Sequence, residues 1–294
     1  MPELPEVETV RRTLVPLISG RVIVSVAGAD FPDVMGAGGL DRAGSLLGRA
    51  IDGISRRGKY LAIDLDDDTA LLVHLRMTGQ LVAARPDTPS LRFQHLTIGL
   101  ASPGAGDDDS PAGESLQLRF ADQRRFGRVL HVPRTERDEQ FLRLGPEPLG
   151  PDFTPSALAG MTSGRKAPIK NILLDQRRVA GLGNIYVDEA LFRAGVHPLR
   201  AGDSLTEPEL VELHAAIVTV LEESLARRGT TFSSFLDGYG DPGENGMNLR
   251  VYGRARTGEH CVVCGTTLNL IRLGGRSTSF CPRCQRLDTS ASAT

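Results

Sequence analysis

No stretch of the 294-residue chain approaches roughly 18 unbroken apolar residues, which argues against a helical membrane span. The N-terminus is acidic and carries prolines, where a secretory leader would be basic and then apolar, so a cytoplasmic location is expected. There is no bulk charge of one sign: the formal net charge is -2, and a nucleic-acid partner cannot be read from the total. Internal repeats are absent. Cysteine is missing from the whole chain except one short C-terminal segment, which argues against a disulfide-stapled fold. Lysine is almost missing, with Lys59, Lys166 and Lys170 standing beside 31 arginines. Arginine is a planar fork that is always charged, whereas lysine is a compact charge on a flexible stem, so these three sites are expected to need lysine in particular.

With 40% hydrophobic and 24% charged residues, the composition is that of an ordinary globular protein, and the length suggests about two domains. After a helix expected over 3–18, strand signals dominate to about 132: 21–26, 60–65, 70–75, 81–84, 95–100, 116–120 and 128–132 are short and rich in Val, Ile and Leu. They suggest a β-sandwich or barrel, interrupted at 101–115 by a loop rich in Pro, Gly, Ser and Ala that carries Asp107-Asp108-Asp109. Beyond Gly145-Pro146-Glu147-Pro148-Leu149 the period turns helical, with helices expected near 155–161, 167–174, 184–194 and 206–228. The last opens on a capping box, Thr206 with Glu209. A loop rich in Gly, Asp and Asn follows at 237–248.

Three local patterns carry chemistry. The chain opens Met-Pro-Glu-Leu-Pro-Glu-Val-Glu. If Met1 is removed, Pro2 presents a secondary amine; a chain-terminal amine ordinarily titrates at about 7.7–8.0, against about 10.4 for lysine. Such an amine can attack an aldehyde-like carbon and form an iminium. The same residues also suit a plain helix start, with proline in the first turn and acidic side chains at the positive dipole end. Second, Cys261, Cys264, Cys281 and Cys284 form C-x2-C, sixteen residues, C-x2-C. This spacing suits a closed four-thiolate site for structural zinc. Arg272 and Arg276 lie between the pairs, and 248–286 holds seven arginines against one glutamate, so a nucleic-acid contact is expected there. Third, Gly181-Leu182-Gly183-Asn184 precedes a helix, which can present N–H groups to a phosphate but can equally be a helix stop.

Together these pieces resemble the formamidopyrimidine-DNA glycosylase family. The likeness rests on residues 2–8, Arg56-Arg57-Gly58-Lys59-Tyr60, His74-Leu75-Arg76-Met77-Thr78-Gly79 and Arg124-Arg125-Phe126-Gly127. It continues with Leu144 to Leu149, Gly181 to Tyr186, Val251-Tyr252-Gly253-Arg254 and the cysteine module. The resemblance implies an α+β multidomain protein: an N-terminal β-sandwich with a catalytic N-terminal helix, a helix–two-turns–helix domain and a C-terminal zinc-finger hairpin. The expected limits are 1–133 for the catalytic domain, 134–152 for a linker, 153–247 for the helical domain with a lesion-capping loop, 248–286 for the finger and 287–294 for a tail.

By the same resemblance the protein is a bifunctional DNA glycosylase and AP lyase of base excision repair. It would excise oxidised purines (8-oxoguanine, formamidopyrimidines) through a Schiff base on Pro2 and then cut the strand by β,δ-elimination. Glu3 would act as general acid and Lys59 would contact phosphate at the site mouth, with Glu6 and Glu189 in support. His74, Asn184 and Arg276 would contact phosphates, Lys166 and Lys170 would support DNA and damaged-base handling, and Met77, Arg124 and Phe126 would fill the gap left by the flipped base. One zinc ion is implied and no redox or nucleotide cofactor. The partner is double-stranded DNA with oxidised or abasic sites, no membrane is involved, and a monomer is expected, associated with the nucleoid when on DNA. The alternatives are excision of oxidised pyrimidines, as in endonuclease VIII, and a silent damaged-DNA-binding paralogue. Gln123 stands where proline is common before the double arginine.

Overall fold

The computed structural model describes residues 2–28, 31–102 and 115–287; Met1, most of the 101–115 insertion and 288–294 lie outside the described residues. The described chain divides into two compact units, Met1–Arg143 with Leu225–Gly246, and Leu144–Ser224 with Met247–Thr294. Contacts thus group Leu225–Gly246 with the N-terminal part, whereas the sequence placed 153–247 in one helical domain.

The first unit opens with helix α1, Leu4–Ile18. Pro5 near its start costs no hydrogen bond there, and Val7, Val10, Leu14 and Ile18 recur at helical spacing on its buried side. Strands β1 (Val22–Gly28), β2 (Ile51–Arg57), β3 (Tyr60–Leu65), β4 (Thr69–His74), β5 (Gly79–Ala84), β6 (Gln94–Ala101), β7 (Leu116–Asp122) and β8 (Arg128–Pro133) follow. They form two four-stranded antiparallel sheets, ordered β1-β6-β7-β5 and β2-β3-β4-β8. The core buries α1 residues together with Leu61, Ile63, Leu71 and Val73 of one sheet and Leu96, Ile98, Leu118 and Phe120 of the other.

Strand β2 carries no signal of alternation. Its register against β3 shifts between Ile51 and Gly53, so Ile51 and Ile54, three apart, are both buried. A bulge turns period two into a spacing that reads as helical. Helix α2, Arg134–Leu142, falls in the stretch expected as linker and has no buried residue. It is held by Arg137 on Asp64 at 2.5 Å and by Gln140 on Tyr60 Oη at 3.1 Å, while Phe141 packs on a small cluster of Ala62, Leu72 and Val132. That cover explains why β3 and β4 are buried nearly throughout.

The second unit holds α3 (Pro155–Thr162), α4 (Ile169–Leu174), α5 (Asn184–Arg193) and α6 (Glu207–Ala226), whose last residues group with the first unit. The capping box ahead of α6 is formed: Glu209 Oε2 accepts the Thr206 N–H at 2.8 Å, and the Glu209 N–H lies 3.5 Å from Thr206 Oγ1. A hairpin of β9 (Asn269–Leu273) and β10 (Arg276–Phe280) completes it. Gly274 and Gly275 both have positive φ (55° and 77°), as a tight two-residue hairpin turn requires.

Candidate active site and nucleic-acid interface

In the first unit Pro2 and Glu3 are buried at the head of α1. Glu3 is the N-cap and forms a reciprocal capping box with Glu6, whose Oε2 accepts the Glu3 N–H at 2.8 Å. The second Glu6 oxygen accepts the Thr230 N–H at 2.7 Å. Glu6 is fully buried, so one carboxylate ties the Pro2–Glu3 turn to the segment after α6. That segment is anchored again at Gly238, whose N–H donates to Thr13 Oγ1 at 2.8 Å and whose C=O accepts from Ala83 N–H at 2.9 Å. Only glycine fits there, because a Cβ would stand 2.7 Å from Thr13 Oγ1 and 2.8 Å from Leu14 Cδ2.

Glu8, two residues on in α1, was expected only to suit the helix dipole. Its carboxylate accepts from Arg11, Arg12 and Arg56 at 2.8–3.0 Å. Burial would raise its pKa, but these three hydrogen bonds outweigh it and hold the carboxyl at about 2. Arg56 also donates to the Gly58 C=O at 3.0 Å, so α1 grips the turn that carries Lys59. Lys59 is buried, and the next residue, Tyr60, pairs with His74 across β3 and β4. Burial, the Arg76 charge and the Lys59 charge push the His74 ring down to about 3. His74 Nδ1 accepts the Arg76 N–H at 3.0 Å, so the neutral ring carries its proton on Nε2.

Met77 and Phe126 are exposed, at 37% and 51%, and line one shallow groove with Arg76 and Arg128. The Arg124 guanidinium lies over the Phe126 ring at 4.8 Å. The three residues expected to fill a gap are thus brought to neighbouring loops. Sequence reasoning missed Asp122, the buried acceptor beneath them, although it directly precedes the quoted Gln123-Arg124-Arg125 stretch.

In the second unit the Gly181–Gly183 turn is cradled by Gln176, which accepts from Gly181 N–H at 3.0 Å and donates to Leu182 C=O at 2.7 Å. Gly183 is the N-cap of α5, and Asn184 Nδ2 donates to Ser277 C=O at 2.8 Å. Arg276 is exposed beside the hairpin turn, and Arg256 donates to Ser277 Oγ at 2.7 Å. Lys166 is exposed and pairs with Asp203 at 2.9 Å.

One expected role needs correction. Lys170 is fully buried, and its Nζ donates to Asp188 at 2.5 Å, Thr278 Oγ1 at 2.8 Å and Ser277 C=O at 3.2 Å. An ammonium so enclosed cannot reach a phosphate; it joins α4 and α5 to β10. Asp188, whose second oxygen accepts from Ser279 N–H at 3.0 Å, is pushed up to about 7 by burial against the pull of Lys170 and that N–H. Glu189 accepts the N–H groups of Arg250, Val251 and Tyr252 at 2.8–2.9 Å. Its carboxylate is therefore committed to holding the approach to the finger.

The four Sγ atoms of Cys261, Cys264, Cys281 and Cys284 lie within 4.8 Å of one another. Cys264 to Cys281 is 3.5 Å and Cys261 to Cys284 is 3.8 Å. Four thiolates about 2.3 Å from one tetrahedral ion stand about 3.8 Å apart, so the cluster fits one structural zinc and is too wide for disulfides.

An N-terminal proline turn on a β-sandwich, with a separate helical unit bearing a four-thiolate finger, defines a class of DNA-repair proteins, and known proteins agree. Residues 1–129 match the formamidopyrimidine-DNA glycosylase N-terminal domain, 144–235 its H2TH domain, and 258–287 the zinc finger found in FPG and IleRS. The formamidopyrimidine-DNA glycosylase of Chloroflexus aurantiacus is 44% identical over 97% of this chain and 98% of its own. The wild-type Lactococcus lactis Fpg with DNA containing N7-benzyl-Fapy-dG is 38% identical, with a TM-score of 0.85 over 97% of this chain and 100% of that one. The same enzyme with abasic-site DNA gives 37% and 0.84 over the same shares. The chain belongs to the formamidopyrimidine-DNA glycosylase family.

Proposed function

We propose that the protein is a bifunctional DNA glycosylase and AP lyase that removes oxidised purines from duplex DNA. The carrying observation is the double use of Glu6, which fixes the Pro2–Glu3 turn rigidly at the head of α1. With Met1 removed, the Pro2 amine attacks C1′ of the damaged nucleotide, the glycosidic bond breaks and the base leaves, while Glu3 protonates the ring oxygen. The resulting iminium acidifies the C2′ proton, and loss of the 3′ and then the 5′ phosphate cuts the strand. An amine with a pKa of about 8 is partly unprotonated at neutral pH, so it needs no neighbouring base to become nucleophilic.

Chemistry at C1′ requires the nucleotide to leave the stack. Met77, Arg124 and Phe126 fill the gap, with Arg124 facing the orphaned cytosine. Lys59 and the neutral His74, through its Nε2–H, bind phosphates next to the lesion. Asn184, Arg276 and Lys166 bind the backbone. The proposed divisions are a catalytic domain at 1–133, a helical domain at 153–247 whose stretch 225–246 packs with the catalytic unit, and a finger at 248–286. The protein acts as a monomer in the cytoplasm, at the nucleoid. No described helix is long and apolar enough to cross a membrane.

Borohydride trapping tests this reading. Protein with a verified Pro2 terminus is expected to form a covalent adduct with 8-oxoguanine:cytosine and abasic duplexes, and to cut both. Absence of any adduct would leave the silent paralogue, and much faster cutting at thymine glycol would move the protein to the pyrimidine branch.

A further inference from the structure

The geometry points to Asp122 as the positioning residue that holds Met77, Arg124 and Phe126 as one body, an inference that rests on the gap-filling role proposed above. Asp122 is 1% exposed at the end of β7, where it pairs with Gly79 at the start of β5. This pairing sets the two loops, 75–79 and 122–127, side by side. Asp122 Oδ1 accepts from Thr78 Oγ1, the residue after Met77. The Arg124 N–H lies 3.1 Å from both Asp122 Oδ1 and Thr78 Oγ1. Asp122 Oδ2 accepts the Gly127 N–H, the residue after Phe126, at 2.7 Å. One carboxylate therefore reaches the backbone or neighbour of all three inserted side chains.

The chemistry suits a carboxylate in particular. A carboxylate accepts at both oxygens, and three donors converge on it; an amide would set an N–H2 against a donor. Gly127 is required for the approach, since a Cβ there would stand 2.6 Å from Phe120 Cζ and 3.1 Å from Asp122 Oδ2. Each loop also turns through a left-handed arginine, Arg76 at φ 55° and Arg125 at φ 57°. Such backbone persists where surrounding contacts over-determine it. The Asp122 backbone supplies more of them: its C=O accepts from Arg125 N–H at 3.2 Å and faces His95 Nε2 at 2.9 Å, and its N–H donates to Phe93 C=O at 3.0 Å. Loops fixed in this way enter the stack already ordered, without losing conformational freedom on insertion.

The test compares Asp122→Asn, Thr78→Val and Thr78→Ser with the wild type on two substrates. One is an 8-oxoguanine:cytosine duplex carrying 2-aminopurine beside the lesion, and the other is a single-stranded abasic oligonucleotide, which has no gap to fill. Asp122→Asn and Thr78→Val are each expected to lower kcat on the duplex about ten- to a hundredfold, as small misplacements near a reacting centre do. The 2-aminopurine signal should fall with it, and the loss should exceed that on the single strand by at least about tenfold. Thr78→Ser restores both readouts, and the Asp122→Asn/Thr78→Val double variant is no worse than Asp122→Asn alone, because both act on one tie. Equal losses on the two substrates, additive losses, or a Thr78→Val variant with wild-type duplex kinetics would overturn the inference. If Asp122→Asn does not fold, the Thr78 pair decides it alone. A wild type that traps neither substrate removes the glycosylase reading itself, and the inference with it.

Discussion

Burying the Lys170 ammonium would cost several kcal/mol in isolation, and Asp188, Thr278 and Ser277 together offset that cost. Removing one partner exposes it again. Lys170→Met is expected to destabilise the protein by about 3–5 kcal/mol in chemical denaturation, and adding Asp188→Leu should recover much of the loss. At Lys170, one of the few lysines, the compact ammonium is fully buried and donates to three oxygen acceptors. At Lys166, exposed and paired with Asp203, nothing in the structure demands lysine over arginine. His74 shows how far a residue's surroundings escape the sequence. A ring whose pKa lies at about 3 is neutral at every physiological pH, so DNA affinity should show no His74-dependent step near pH 6.5. Comparing His74→Gln with the wild type across pH 5–8 by fluorescence anisotropy checks this: the ratio of affinities should stay flat.

Helix α1 does more than carry the Pro2–Glu3 turn proposed to hold the reacting amine. Through Glu8 and Arg56 it also holds the turn that carries Lys59. The Glu8 carboxyl, held at about 2 in the fold against an unfolded value near 4.5, stabilises fully above that unfolded value. This contribution is lost as pH falls from about 4.5 through about 2. Glu8→Gln should therefore lower Tm at pH 7 and make little difference near pH 2, which thermal scans across that window would show. The elements most legible beforehand were those whose pattern matched their period: α1, β3, and α6 with its Thr206–Glu209 box. Those missed had physical reasons to be missed. The bulge in β2 broke alternation, and α2 is charged and unburied, fixed by Asp64 and Tyr60 of the distant strand β3.

At the scale of the whole molecule, the chain places Pro2 and Glu3, the residues proposed to carry its chemistry, in one compact unit and its zinc module in another. Stripping zinc with a chelator under mild denaturant should release one equivalent of zinc per chain and abolish DNA binding, because a four-thiolate site contributes folding energy directly. A chain whose net charge is -2 can still bind DNA, because charge is uneven along it: 248–286 holds seven arginines against one glutamate. Binding should accordingly weaken steeply with salt, and Arg276→Ala should reduce the slope of log K against log salt by about 1, in line with the loss of one phosphate contact. From the sequence by itself, four spaced thiolates pointed to the metal and the reaction class followed from the family resemblance its local motifs carry, because residue types and their spacing need no fold to be recognised. Tertiary structure decided which charges face solvent. It enclosed Lys170, spent Glu189 on backbone N–H groups and set Asp122 under two loops, because burial and hydrogen-bond partners come from segments far apart in the chain.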